Sequence, residues 1–167
     1  MKKRRLFTAI GMIFVISAVV LVLAKTQVDY RNLAQVKIKI VGTMVPSGNE
    51  YMLSYEGGTW IASHNEIVWM EDKLSEAAVD AAFANRIIEI LKENKAHKWD
   101  DFSLKREIGK KLSSIATDGE IYSFYMYFSD GTAVAIEGYD DFPENFMSVF
   151  RAFEKEFEAL FPEKESY

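Results

Sequence analysis

The first twenty-five residues limit what this chain can be more than any other stretch. Met1 is followed by Lys2, Lys3, Arg4 and Arg5, and no charged residue occurs from Leu6 to Ala24. At about 1.5 Å per helical residue, that stretch reaches about 28 Å, against an apolar bilayer core of about 30 Å. Thr8 and Ser17 are its only polar residues, and a hydroxyl can bond back to its own helix. The segment therefore reads as a membrane helix, with Leu6, Ile10, Phe14, Val20 and Leu23 among its lipid-contacting positions. Four positive side chains before it belong on the cytoplasmic side, which puts everything after Lys25 outside the cytoplasm. A cleaved signal peptide, cut after Ala24, is the other reading and would make the chain secreted. The uncharged run exceeds the usual signal core of about 7–15 residues, which favours a retained single-pass anchor.

Beyond Lys25 the chain divides into a polar tether at 26–35, one domain at 36–162 and a short tail at 163–167. Without the four leading basic residues, the 20 Lys and Arg fall to 16 against 25 Asp and Glu, a net charge of −9. So acidic a domain repels nucleic acid, and none is expected as a partner. The chain has no cysteine, which excludes disulfides, thiol chemistry and thiolate metal sites.

Val36-Lys37-Ile38-Lys39-Ile40 alternates with the period of a half-buried strand. Tyr51–Tyr55 is strand-like, and Thr59–Ala62 and Ile67–Met70 read as one or two further strands, with Ser63–Glu66 as a loop between them or a bulge. Ser75 is placed to cap a first helix, with Leu74 and Val79 spaced as a hydrophobic staple. Val79, Phe83, Ile87, Ile90 and Leu91 would form its apolar face. Residues 96–117 give a short helix or an irregular crossover. Glu120–Ser129, Asp130-Gly131 and Ala133–Gly138 read as a hairpin with a type I′ turn. Asp140–Asn145 would open a last helix, with Pro143 in its first turn and Phe146, Phe150, Phe153, Phe157 and Leu160 as its stripe. The fold class is α+β: a two-layer domain with an antiparallel sheet of about five strands and two helices on one face.

No catalytic constellation is apparent. The two histidines, His64 and His97, have no nucleophile or metal-ligand spacing around them. No phosphate-binding glycine loop occurs, and no cofactor is expected. Asp140, Asp141 and Glu144 form a weak calcium candidate, although helix capping explains them more simply. Lys105, Arg106, Lys110 and Lys111 cluster, with a solvated face as the simpler reading. Tyr122, Tyr125, Tyr127, Trp60, Trp69 and Trp99 are the candidate binding surface for a sugar ring or a protein, with core packing the competing role.

Trp99-Asp100-Asp101-Phe102, Asp118-Gly119, Ser123-Phe124, Asp130-Gly131-Thr132, Gly138 and Phe142-Pro143-Glu144-Asn145-Phe146 together resemble a pattern of small exported bacterial proteins, many of them lipoproteins. The match covers roughly 99–161 and lacks the lipidated cysteine. The resemblance implies export and an α+β scaffold, with no activity attached.

The expectation is a non-enzymatic extracytoplasmic binding domain, held at the cell membrane through residues 6–24, whose partner is a protein or an envelope component. A glycan-cleaving enzyme using two carboxylates is one alternative, and a calcium- or ligand-sensing module is another. Intact-mass measurement of the membrane fraction tests retention: an uncleaved chain weighs 19.1 kDa, whereas cleavage leaves a product beginning at Lys25.

Overall fold

The computed structural model describes residues 28–43, 47–69, 71–99 and 119–162. Among these, no helix is long and apolar enough to cross a membrane, and the 6–24 segment lies outside them. Six strands form one antiparallel sheet: β1 Leu33–Gly42, β2 Gly48–Glu56, β3 Thr59–Val68, β4 Glu71–Val79, β5 Glu120–Phe128 and β6 Ala133–Tyr139. Their spatial order is β4-β3-β2-β1-β5-β6. Helix α1, Ala81–Glu93, comes after β4, and α2, Phe146–Leu160, comes after β6.

The alternation in β1 decides the layering. Val36, Ile38 and Ile40 are buried, while Lys37 and Lys39 lie on the opposite face. Ile38 pairs with Tyr51 of β2 and with Phe124 of β5, both almost fully buried. The Tyr51 ring meets Phe150 and Phe157, and the Tyr122 ring meets Phe146, so α2 covers this face. Phe83 of α1 packs edge-on against Phe157, and Arg86 reaches Glu156 of α2 at 2.8 Å. Phe146, Phe150, Phe153 and Phe157 are all buried, as the stripe predicts.

Several boundaries differ from the sequence reading. The sheet has six strands rather than about five, because Glu71–Val79 is a strand and not the start of a helix. Ser75 pairs with His64 across the β3–β4 ladder, so it caps nothing, and Leu74 and Val79 form no staple. The cap is Asp80, whose Oδ1 accepts from the Phe83 N–H at 2.8 Å. Ala77 and Ala78 favour a helix, but the ladder that β3 offers outweighs that weak local preference. Ser63–Glu66 is no loop, since β3 runs unbroken from Thr59 to Val68.

The tether also ends earlier than expected. Tyr30 and Leu33 are buried, and Tyr30–Asn32 forms a short 3-10 turn leading into β1. The Tyr30 hydroxyl lies 3.1 Å from His97 Nδ1 and donates to the Leu91 carbonyl at 3.4 Å. His97 therefore anchors the entry of the chain and does not simply stand at a helix end.

The last helix starts only at Phe146, so Asp140–Asn145 and Pro143 precede it. Asp140 Oδ1 accepts from the Glu120 N–H at 2.8 Å, tying the end of β6 to the start of β5. The β5–β6 connection is not a type I′ turn either. Of its residues only Gly131 has positive φ, at 85°, and Asp130 Oδ1 accepts from the Thr132 N–H. That is a three-residue loop closed by a glycine bulge. The type I′ signature falls instead on Gly57 and Gly58 between β2 and β3, both with positive φ. Beyond Trp99, the crossover and its basic cluster lie outside the described residues.

Asp80→Ala should lower stability by about 1 kcal/mol in chemical unfolding, the usual cost of losing a side-chain cap.

Candidate functional site

The helix-facing side of the sheet changes character halfway along β2, β3 and β4. Toward one end, cross-strand neighbours are Leu53, Ala62 and Ala77, followed by Tyr55, Trp60 and Val79. Toward the other they are Tyr51, His64 and Ser75, then Asn49, Glu66 and Lys73. A strand face that turns from apolar to polar has left the core, and here a cleft opens beside the C-terminal end of α2. Its volume is about 1480 Å³, and its lining includes Asn49, Tyr51, His64, Glu66, Lys73 and Ser75. Glu158, Leu160, Phe161 and Pro162 form the wall that α2 and its exit contribute.

Tyr51 and His64 form the floor. Their rings stack at 4.8 Å, and Tyr51 is 1% exposed. His64 Nε2 lies 2.9 Å from Asn49 Oδ1. An amide oxygen only accepts, so the neutral imidazole carries its proton on Nε2 and leaves Nδ1 as an acceptor. Burial pulls the His64 pKa below its ordinary value, partly offset by Glu66, Glu158 and Glu154. The Tyr51 hydroxyl is pushed up, first by burial and then by Glu154 and Glu158. Glu66 is held by Lys73 at 3.2 Å.

The six aromatic candidates do not share a surface. Trp99 and Tyr122 are buried, with Trp99 donating to the Glu144 carbonyl at 3.0 Å. Tyr122 donates to the Asp141 carbonyl at 2.6 Å. Trp60 is half-buried against Tyr55. Trp69 is 58% exposed in the turn after β3. Tyr125 and Tyr127 lie on the opposite face of the sheet, where Lys37 and Lys39 approach Glu50 at 3.7 and 3.8 Å and Lys37 lies over the Tyr125 ring.

Among the described residues, no group of three or more His, Asp or Glu side chains is placed to hold a metal ion. Asp140, Asp141 and Glu144 therefore form no such group. Asp140 instead serves the β5–β6 junction.

Sequence reasoning misses the cleft, although a signal for it is present: Asn49 and Tyr51 alternate with one period in β2, and His64 and Glu66 do so in β3. Only the register shows that the two sets meet. Comparison with protein-family models, with curated proteins and with solved structures finds no match to this chain.

Because the folded His64 resists protonation, the unfolded chain takes up that proton first, near pH 6.5. His97 adds an effect of the same sign, since burial and then Lys98 and Lys95 lower its pKa. Their contribution to stability is complete above about pH 6.5 and shrinks as pH falls through that value. An NMR titration should place the His64 midpoint below 6.5. A midpoint above it would contradict the buried, neutral ring.

Proposed function

We propose that this chain is an extracytoplasmic binding domain, held at the membrane by residues 6–24, and that the cleft beside α2 is where it takes its ligand. The carrying observation is the change along β2, β3 and β4 from Leu53, Ala62 and Ala77 to Asn49, Glu66 and Lys73 on a single face. A sheet face that served only the core would stay apolar under a helix. This one offers convergent polar groups over an aromatic floor, with an apolar rim, the usual make-up of a ligand site. Residues 1–25 and the resemblance to exported bacterial proteins support the location. The ligand is an envelope component or part of a partner protein.

The glycan-cleaving alternative has one observation in its favour, since Glu66 and Glu158 line the same cleft. A general acid of that kind is usually seated in an apolar pocket. Glu66 is instead ion-paired to Lys73, and Glu158 is exposed. Binding without cleavage is the better reading.

Ser75 is exposed on β4 and lines the cleft, so Ser75→Trp would fill the space without entering the core. The full chain in non-ionic detergent can be screened by thermal unfolding against amines, sugars and carboxylates. A ligand of the folded state raises the midpoint. At least one compound should do so with the native chain and lose the effect with Ser75→Trp. If no compound's effect depends on Ser75, the cleft is not the site.

A further inference from the structure

The chemistry around Tyr51 points past a generic cleft to the charge of what fills it; this inference rests on the cleft being the binding site. Tyr51 is 1% exposed, with its ring held among His64, Phe150 and Phe157. Yet the residue lines the cleft, and its hydroxyl has no hydrogen-bond partner among the described residues. The ring is in the core, while the hydroxyl is open to the cleft, where a ligand can reach it. Glu158 lines the same cleft, and Glu154 stands one turn before it on α2; the charges of both help to push the Tyr51 pKa up, after burial. They stand four residues apart on α2, a spacing that brings like charges together and destabilises a helix. Glu158 also sits in the last turn, where the helix end is already negative and where no basic residue is present. Neither carboxylate has an ion-pair partner among the described residues.

Arg151 and Lys155, each three residues before one of these carboxylates on α2, form no ion pair with them among the described residues and do not line the cleft. Lys73 is engaged by Glu66, and His64 is kept neutral by burial. The neutral imidazole instead adds a further acceptor, its Nδ1. An unused phenol oxygen, an imidazole and the Glu158 carboxylate thus line one cleft, whose own cation, Lys73, is taken up by Glu66. An anion entering there would meet the Glu158 carboxylate and the negative end of a helix. A cation would satisfy both.

We propose that the cleft binds an organic ammonium ion, whose charged group is held by Tyr51 and Glu158, both of which line it. Its hydrocarbon body would lie along the apolar rim formed by Ile67, Leu160 and Phe161. The ammonium N–H groups donate to the Glu158 carboxylate and to the phenol oxygen, and no bond is made or broken. An amine suits this site better than a metal ion, because the donor groups do not form a metal-holding cluster among the described residues.

The test uses the full chain in non-ionic detergent micelles, three organic probes of one size (n-butylammonium, n-butanol and butyrate) and Ca²⁺ as a fourth. Ring resonances of Tyr51 and His64 report on the cleft, and Tyr125 on the opposite face is the control. Butylammonium should shift Tyr51 and His64 saturably and leave Tyr125 unmoved. Butanol should bind at least about tenfold more weakly, and butyrate should give no shift, as expected where a charged hydrogen bond is lost. Glu158→Gln and Tyr51→Phe should each weaken butylammonium severalfold, while Glu137→Gln on the opposite face should not.

If butanol matches butylammonium, or Glu158→Gln binds it unchanged, the cleft is a ligand site but not a cation site, and this inference is overturned alone. If Ca²⁺ shifts the same resonances and butylammonium does not, the organic cation is overturned in favour of a metal. If no probe moves Tyr51 or His64, both the cation and the cleft as binding site are lost.

Discussion

Everything in this domain depends on the two ladders that β1 makes, one with β2 and one with β5. Because side chains alternate along a strand, these pairings fix which residues of three strands share a face. Ile38 between Tyr51 and Phe124 is the central row of that face. A slip of one residue would put Lys37 and Lys39 against the helices, at a cost no surface contact could offset. The helices answer this face with aromatic rings: Phe146, Phe150, Phe153 and Phe157 of α2 are buried, and Phe83 brings α1 into the same cluster. β1 thus organises the core, although Gln35, Lys37 and Lys39 interrupt its apolar sequence.

The cleft results from the same register combined with a shortage of cover. Among the described residues two helices accompany the six strands, and the polar ends of β2, β3 and β4 meet the end of α2, where Glu158, Leu160 and Phe161 line the cleft. The side chains there are those of a surface, but they sit against a core aromatic. That juxtaposition gives Tyr51 its unusual position, with a ring in the core and a hydroxyl outside it. Glu158 lines the open side, while Phe146, Phe150, Phe153 and Phe157 occupy the buried face of α2.

Whether a feature is legible in the sequence depends on whether its signal is local. The α+β class, the alternation of β1 and the phenylalanine stripe of α2 are periodic patterns within one segment, and the structure keeps them. Glu71–Val79 misleads because its alanines and its Ser75 resemble a helix start, whereas the force that extends it is a neighbouring strand. Asp140 and Pro143 look like a helix opening by composition, yet Asp140 is engaged by the Glu120 backbone, twenty residues away in sequence. The candidate aromatics cannot be sorted without the sheet, since alternate residues of β5 go to opposite faces: Tyr122 inward, Tyr125 and Tyr127 outward. The cleft is hidden for the same reason. Its members are spread from Asn49 to Glu158, and only pairing brings them together.

The junction at Tyr30 has a mechanical consequence. The chain enters the sheet at the start of β1, one of its two central strands, not at an edge. Tension arriving through residues 28–32 meets first the contacts of Tyr30 with His97 and Leu91. Behind them it runs along the axis of β1, which is hydrogen-bonded on both sides over most of its length. A load in that direction shears two ladders at once, so many bonds must fail together instead of one after another. A pull on the N-terminal side of this domain therefore does not unzip the sheet from an edge.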